Sequence, residues 1–195
     1  EDLANRLRIE NICILIVESD FVFEEVFQEA NSLKFVGICR SNSQHVDVDA
    51  ASKHGIMVVN TPSRNARAVS EHALSLMLAL ARRIPEAHIY VRERRWENPV
   101  EPYTCMRGIE IAGRTLGIIG LGAIGSNLSQ MSTALGMKVV AYDPYVTINH
   151  PDVTMVDLDQ LVSHSDFISI HASMEAGTKE IITARHLNLM KPTAY

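Results

Sequence analysis

Thr115-Leu116-Gly117-Ile118-Ile119-Gly120-Leu121-Gly122-Ala123-Ile124-Gly125 is the stretch whose reading decides the fold. An apolar run ends at Gly120, and an amphipathic helix opens at Ala123, with Ile124, Leu128, Met131 and Leu135 along one helical face. Glycines spaced G-x-G-x-x-G between a strand and a helix have the form of a dinucleotide-binding turn. Gly120 permits the tight turn, Gly122 lets the backbone approach a pyrophosphate, and Gly125 lets helix and strand pack closely. The N–H groups at the helix start then face the phosphates. The following strand, Lys138 to Asp143, ends in an acid eighteen positions beyond Gly125, placed to accept from both hydroxyls of an adenine ribose. A 2′-phosphate would meet that carboxylate, and neither Pro144 nor Tyr145 offers an arginine to compensate, so the pattern favours NAD over NADP. The competing reading is an ordinary tight turn with Asp143 capping a loop; strand, helix and acid together favour the first.

Outward from this turn, strands and helices alternate. Asp157 to His164 reads as a helix, Asp166 to His171 as a strand and Thr183 to Met190 as a helix. His171 ends its strand where ligands of parallel sheets sit, although a histidine there also suits plain contact with solvent. Earlier in the chain, Ile12 to Val17, Lys34 to Cys39 and Ile56 to Asn60 read as strands, with helices at Phe21 to Ala30 and Val46 to His54. The unbroken run ICILIV predicts a strand covered on both faces, and the alternation predicts a parallel sheet, either small or part of a larger one. Arg40, Ser41 and Asn42 follow the second of these strands in a polar loop able to offer N–H groups and a cation to a carboxylate; taken alone, the loop reads more readily as a solvated turn.

Between the two alternating regions, Asn65 is placed to cap a long helix running to Ile84. That helix is apolar almost all round from Ala73 to Ala81, which predicts burial. A polar amphipathic helix follows from Glu86 to Arg95, and Pro99, Pro102, Gly108 and Gly113 predict an extended excursion from Trp96 to Gly113. The domain boundary falls at about Ser63, giving a first domain over 1–63 and a second over 64–195.

Composition narrows the function. With 47% hydrophobic and 21% charged residues the chain is an ordinary globular protein, and its net charge of -5 is spread without a basic stripe, which excludes nucleic acid as a first reading. The longest apolar stretch is too short to cross a bilayer, and no cationic-then-apolar leader stands at the start, so neither a membrane nor secretion is expected. Cys13, Cys39 and Cys105 are scattered, as suits reduced thiols in the cytoplasm. None of the eight histidines falls in a metal-ligand spacing, so no metal site is expected.

Taken in order, LKFVG, HVDVDAASKHGIMVVNTP, an N-x-x-x-V-x-E leading into LMLALAR, GRTLGIIGLGAIG, GMKVVAYDPY and DFISIH resemble the D-isomer-specific 2-hydroxyacid dehydrogenases, over nearly the whole chain. The resemblance implies an α/β architecture: a Rossmann-like doubly wound parallel sheet binding NAD, joined to part of a flavodoxin-like substrate domain. It implies that Ala123 and Ile124 lie along the pyrophosphate, Asp143 on the ribose, and His171 and Ala172 beside the cofactor. Cys39, Arg40 and Ser41 would form the loop facing the substrate carboxylate, with Asn65 nearby, although this loop departs from the family's R-A-G-x-G pattern. The long helix and the Trp96 excursion are similar to a dimer-forming region, which implies a homodimer. The implied activity is hydride transfer between NAD and a small D-2-hydroxyacid or 2-oxoacid of phosphoglycerate, glycerate or glycolate type. A cofactor-sensing protein resembling the C-terminal-binding-protein corepressors, and a dehydrogenase of formate or phosphite, are the alternatives. The family's catalytic arginine, glutamate and histidine are expected beyond Tyr195, so the chain is expected to be a fragment, without its initial β-α unit, inactive alone.

Overall fold

The computed structural model describes residues 2–146, 152–172 and 180–195. They form two compact units, Glu1–Arg64 and Asn65–Tyr195. The first contains α1 (Asp2–Ile9), β1 (Ile14–Val17), α2 (Glu24–Glu29), β2 (Phe35–Ile38), α3 (Val48–Lys53) and β3 (Met57–Asn60). Its strands pair in parallel in the order β1-β2-β3, with Ile14 opposite Phe35 and Phe35 opposite Met57. Period-two alternation sends Val36 and Ile38 into a core with Leu7, Phe27, Leu33 and Ala51. The opposite side differs from the expectation for ICILIV: Ile14 is 58% and Ile16 59% exposed, so only one face of this sheet is covered among the described residues. The short amphipathic helix α1 was not foreseen.

The second unit contains α4 (Ala66–Ala81), α5 (Ile84–Arg92), α6 (Val100–Cys105), β4 (Thr115–Ile119), α7 (Ala123–Ala134), β5 (Lys138–Tyr142), β6 (Val153–Met155), α8 (Leu158–His164), β7 (Phe167–Ile170) and α9 (Ala184–Leu189). All its strand pairs are parallel, in the order β6-β5-β4-β7. The chain steps outward from β4 to β5 and β6, and α8 then carries it back so that β7 lies on the other side of β4. Leu116 and Ile118 face one core with Met77 of α4 and Leu128 of α7. Ile119 faces the other, with Leu161 and Val162 of α8. Helices therefore cover both faces of β4, the doubly wound arrangement.

Four expectations for this unit are corrected. Helix α4 is not buried all round: Ser70, Met77 and Ala81 point inward, whereas Leu76 and Leu80 are about half exposed, because the helix packs chiefly against α7 and that contact covers only part of its circumference. It ends at Ala81, and Arg83, in the left-handed region at φ +54°, separates it from α5. The side chain of Asn65 makes no capping hydrogen bond. The Trp96–Gly113 stretch is not wholly extended, since α6 lies within it; Pro99 and Pro102 stand at the start of that helix, where a missing N–H costs nothing. No helix among the described residues is long and apolar enough to cross a membrane.

Candidate functional site

The reversal of strand order at β4 makes a crevice at the carboxyl ends of β4 and β7, the place where open α/β sheets take their ligands. Three strand ends are tied together there. The Gly120 N–H donates to the Tyr142 carbonyl at 2.9 Å, and the His171 N–H donates to the Ile119 carbonyl at 2.7 Å.

Each glycine of the turn has its own reason. Gly120 sits at φ +93°, and a Cβ there would lie 2.6 Å from the Ala172 nitrogen. A Cβ on Gly125 would run into the Gly120 carbonyl oxygen, so helix α7 packs on the turn without a side chain between them. At Gly122 a Cβ would meet nothing within 4 Å, so the backbone is open on that side. Gly122 is also the N-cap of α7, and no side chain caps it. The first N–H groups of a helix have no intrahelical acceptor, and the helix dipole leaves that end positive. Ala123 and Ile124 form this first turn, and the Ile124 carbonyl accepts from the buried Ser70 hydroxyl at 2.9 Å, which anchors the turn to α4.

Across the opening, Asp143 follows β5. Its Oδ2 accepts from the Leu121 N–H at 2.8 Å, and its Oδ1 from the N–H groups of Tyr145 at 2.9 Å and Val146 at 3.2 Å. Of roughly four lone-pair positions on a carboxylate, about one is left for a ligand. The imidazole of His171 lies 2.8 Å from the Ser169 hydroxyl, and its partial burial pushes it below the ordinary histidine range, keeping it neutral near pH 7.

Gly120, Gly122, Asp143, Tyr145, His171 and Ala172 line one cleft of about 130 Å³. The structure thus brings five of the residues singled out from sequence to one opening, with Ala123, Ile124 and Gly125 in the helix turn behind it. A larger cavity, about 610 Å³, opens at the opposite ends of the strands beside Thr115, Lys138 and Val153. Its size does not make it the site, because it lies at the amino ends of the strands, away from the topological switch. An open glycine backbone, an uncapped helix start and an acid across from them fit a dinucleotide: anionic phosphates for the first two and a ribose hydroxyl for the third.

The remaining candidates lie elsewhere. Cys39, Arg40 and Ser41 follow β2 in the first unit, where Arg40 is exposed. Sequence reasoning missed what holds this loop: Asn60 Nδ2 donates to the Ser41 carbonyl at 2.6 Å, and the Arg64 guanidinium donates to the Cys39 carbonyl at 3.1 Å. The polar run from Asn60, the last residue of a predicted strand, to Arg64 was the available signal. Asn65 opens the second unit.

Comparison with known proteins agrees with this geometry. Residues 74–195 match the family model described as D-isomer specific 2-hydroxyacid dehydrogenase, NAD binding domain. The chain is similar to D-3-phosphoglycerate dehydrogenase of Synechocystis sp., 41% identical over 184 residues, covering 93% of this chain and 32% of that protein. It is also similar to hydroxypyruvate reductase of Thermotoga maritima, 36% identical over 184 residues, covering 94% of this chain and 58% of the relative. Among solved structures, D-2-hydroxyisocaproate dehydrogenase superposes with a TM-score of 0.88 at 28% identity, over 98% of this chain and 58% of that one. The chain therefore spans between about a third and three fifths of the length of these relatives.

Proposed function

Because the chain belongs to the D-isomer-specific 2-hydroxyacid dehydrogenase family and matches its NAD-binding domain, we propose that the protein is an NAD-dependent oxidoreductase acting on a small D-2-hydroxyacid or its 2-oxoacid, of phosphoglycerate, glycerate or glycolate type. The observation that carries this reading is the open backbone at Gly122 beside the uncapped start of α7, with the Asp143 carboxylate across the cleft. Bound NAD supplies the hydride acceptor, or NADH the donor, for the change between alcohol and ketone at C2.

The residues of the chain bind and orient. Ala123, Ile124 and Gly125 offer the N–H groups of the first helical turn to the pyrophosphate, and Gly120 and Gly122 leave the backbone uncovered for its approach. Asp143 accepts from a ribose hydroxyl and repels a 2′-phosphate, which selects NAD over NADP. His171 and Ala172, at the end of β7, flank the cofactor on the far side of the crevice. Neutral near pH 7, His171 adds no cation to the cleft. In the first unit, the exposed Arg40 and the backbone of Cys39 and Ser41 face the substrate carboxylate; Asn65, in the second unit, is a further substrate contact. No histidine of this chain is assigned the proton transfer.

The same reading makes the protein a homodimer. Leu76, Leu80, Ile84, Ile89, Trp96 and Tyr103 are each more than half exposed on α4, α5, α6 and the link between the last two, apolar surface of the kind that a second copy covers. The three cysteines are free thiols, which suits a cytoplasmic protein.

Titration of the chain with NADH and NADPH tests the cofactor assignment. Tighter binding of NADH, by on the order of tenfold or more, is expected from the charge on Asp143. Equal affinity for the two, or no binding, overturns it. Consumption of NADH with hydroxypyruvate or glyoxylate, by a protein of the relatives' full length that contains this chain, tests the reaction, and sedimentation of the unmutated chain as a single copy removes the dimer.

A further inference from the structure

We propose that Asp143 is a positioning residue: it holds the glycine turn in place before any cofactor arrives, and meets the ribose through one remaining acceptor site. This rests on the NAD reading above, and it changes what the acid is for.

Leu121 stands between two glycines, one at φ +93° and the other uncapped with open space beside it. Such a segment has wide conformational freedom, and ordering it at the moment of binding would subtract from affinity. Both backbone groups of Leu121 are instead already held by side chains. Its N–H donates to Asp143 Oδ2 at 2.8 Å, and its carbonyl accepts from the Ser126 hydroxyl at 3.1 Å. Its own side chain, 5% exposed, packs with Leu116, Ile118 and Leu128. The Leu121 N–H is therefore directed at the acid and away from any phosphate.

Asp143 is fixed in turn. Its other oxygen accepts from the N–H groups of Tyr145 and Val146, and β5 is locked to β4 by the parallel ladder from Thr115 opposite Lys138 to Ile119 opposite Tyr142. A carboxylate with three backbone donors makes charge-assisted bonds stronger than neutral ones. One acid thus joins the end of β5 to the turn after β4, and the binding surface is preorganised.

Two measurements on the full chain test this. The first is amide hydrogen exchange at Leu121 without ligand, in the unmutated chain and in Asp143→Ala, with Asp143→Asn as the milder variant should the first fail to fold. Exchange faster by on the order of tenfold is expected on losing a bond to a charged acceptor; unchanged exchange overturns the proposal. The second is affinity for reduced nicotinamide mononucleotide, which has a phosphate but no adenine ribose. A several-fold loss in Asp143→Ala is expected if the acid acts through the turn. Undiminished binding overturns the proposal and leaves Asp143 as a ribose contact alone. If the unmutated chain binds neither NADH nor the mononucleotide, the NAD reading fails, while Leu121 exchange still decides whether Asp143 holds the turn.

Discussion

The two sheets start from the same sequence signal and end differently. β1 comes from the continuous apolar run ICILIV and β4 from TLGII, and a parallel strand with that signature is expected to be covered on both faces. β4 meets the expectation, with Leu116, Ile118 and Ile119 fully buried between α4 and α7 on one face and α8 on the other. β1 does not, since Ile14 and Ile16 stand open to solvent, as do Met57 and Val59 on β3. Hydropathy records how much cover a strand calls for; it does not say which part of a chain supplies it.

The contrast predicts unequal costs for equal changes. Ile118→Ala removes a fully buried side chain and should destabilise the second unit by about 3 kcal/mol, in the usual range for a buried isoleucine truncated to alanine. Ile16→Ala, at a position 59% exposed, should cost less than about 1 kcal/mol. Urea unfolding of the two variants measures both. If Ile16→Ala proved as costly as Ile118→Ala, the open face of β1 would have to be covered in solution, and the comparison would collapse.

A second pair separates folding from binding within one turn. Gly125→Ala forces a methyl against the Gly120 carbonyl, a backbone atom that cannot swing aside, and should cost about 2 kcal/mol along with most of the NADH affinity. Gly122→Ala places its methyl in open space and should cost about 1 kcal/mol or less, the difference between glycine and alanine at an N-cap, while still lowering NADH affinity. Thermal unfolding with and without NADH reads both quantities. Undiminished NADH binding by Gly122→Ala would remove the open backbone from the proposed site.

How far the sequence could be read follows from the kind of force involved. The longer strands and helices were legible because burial imposes periodicity on side chains, and the glycine turn because Gly120 and Gly125 stand where a side chain would collide with backbone. β6, three residues long, is too short to show a period. α6 was hidden because Pro99 and Pro102 signal breakage unless their place in the first helical turn is known. The role of Asp143 as an acid near the turn was visible; its bond to Leu121 was not, because the donor is a backbone N–H common to nearly every residue. The ties from Asn60 and Arg64 to the Cys39–Ser41 loop escaped for the same reason, their acceptors being carbonyls.

The smallest expected effect is electrostatic and belongs to the second unit alone. Asp166, just before β7, loses some hydration on burial, which by itself would raise its pKa and is the largest single influence. That rise is outweighed by the Thr115 N–H at 2.8 Å, the Lys191 ammonium at 2.9 Å and the more distant Arg114, so the carboxyl sits below its ordinary range. A carboxyl with a lowered folded pKa binds its proton more readily in the unfolded chain. Its contribution is therefore complete above the ordinary carboxylate pKa and fades as pH falls through the lowered value. Asp166→Asn should accordingly lower the thermal midpoint of the second unit at pH 7, and the gap from the unmutated chain should narrow as the solution is acidified. The first unit, which lacks this group, should show no such narrowing. A gap that stayed constant from pH 7 down through the carboxylate range would mean that Asp166 acts by packing, with its charge contributing nothing to the start of β4.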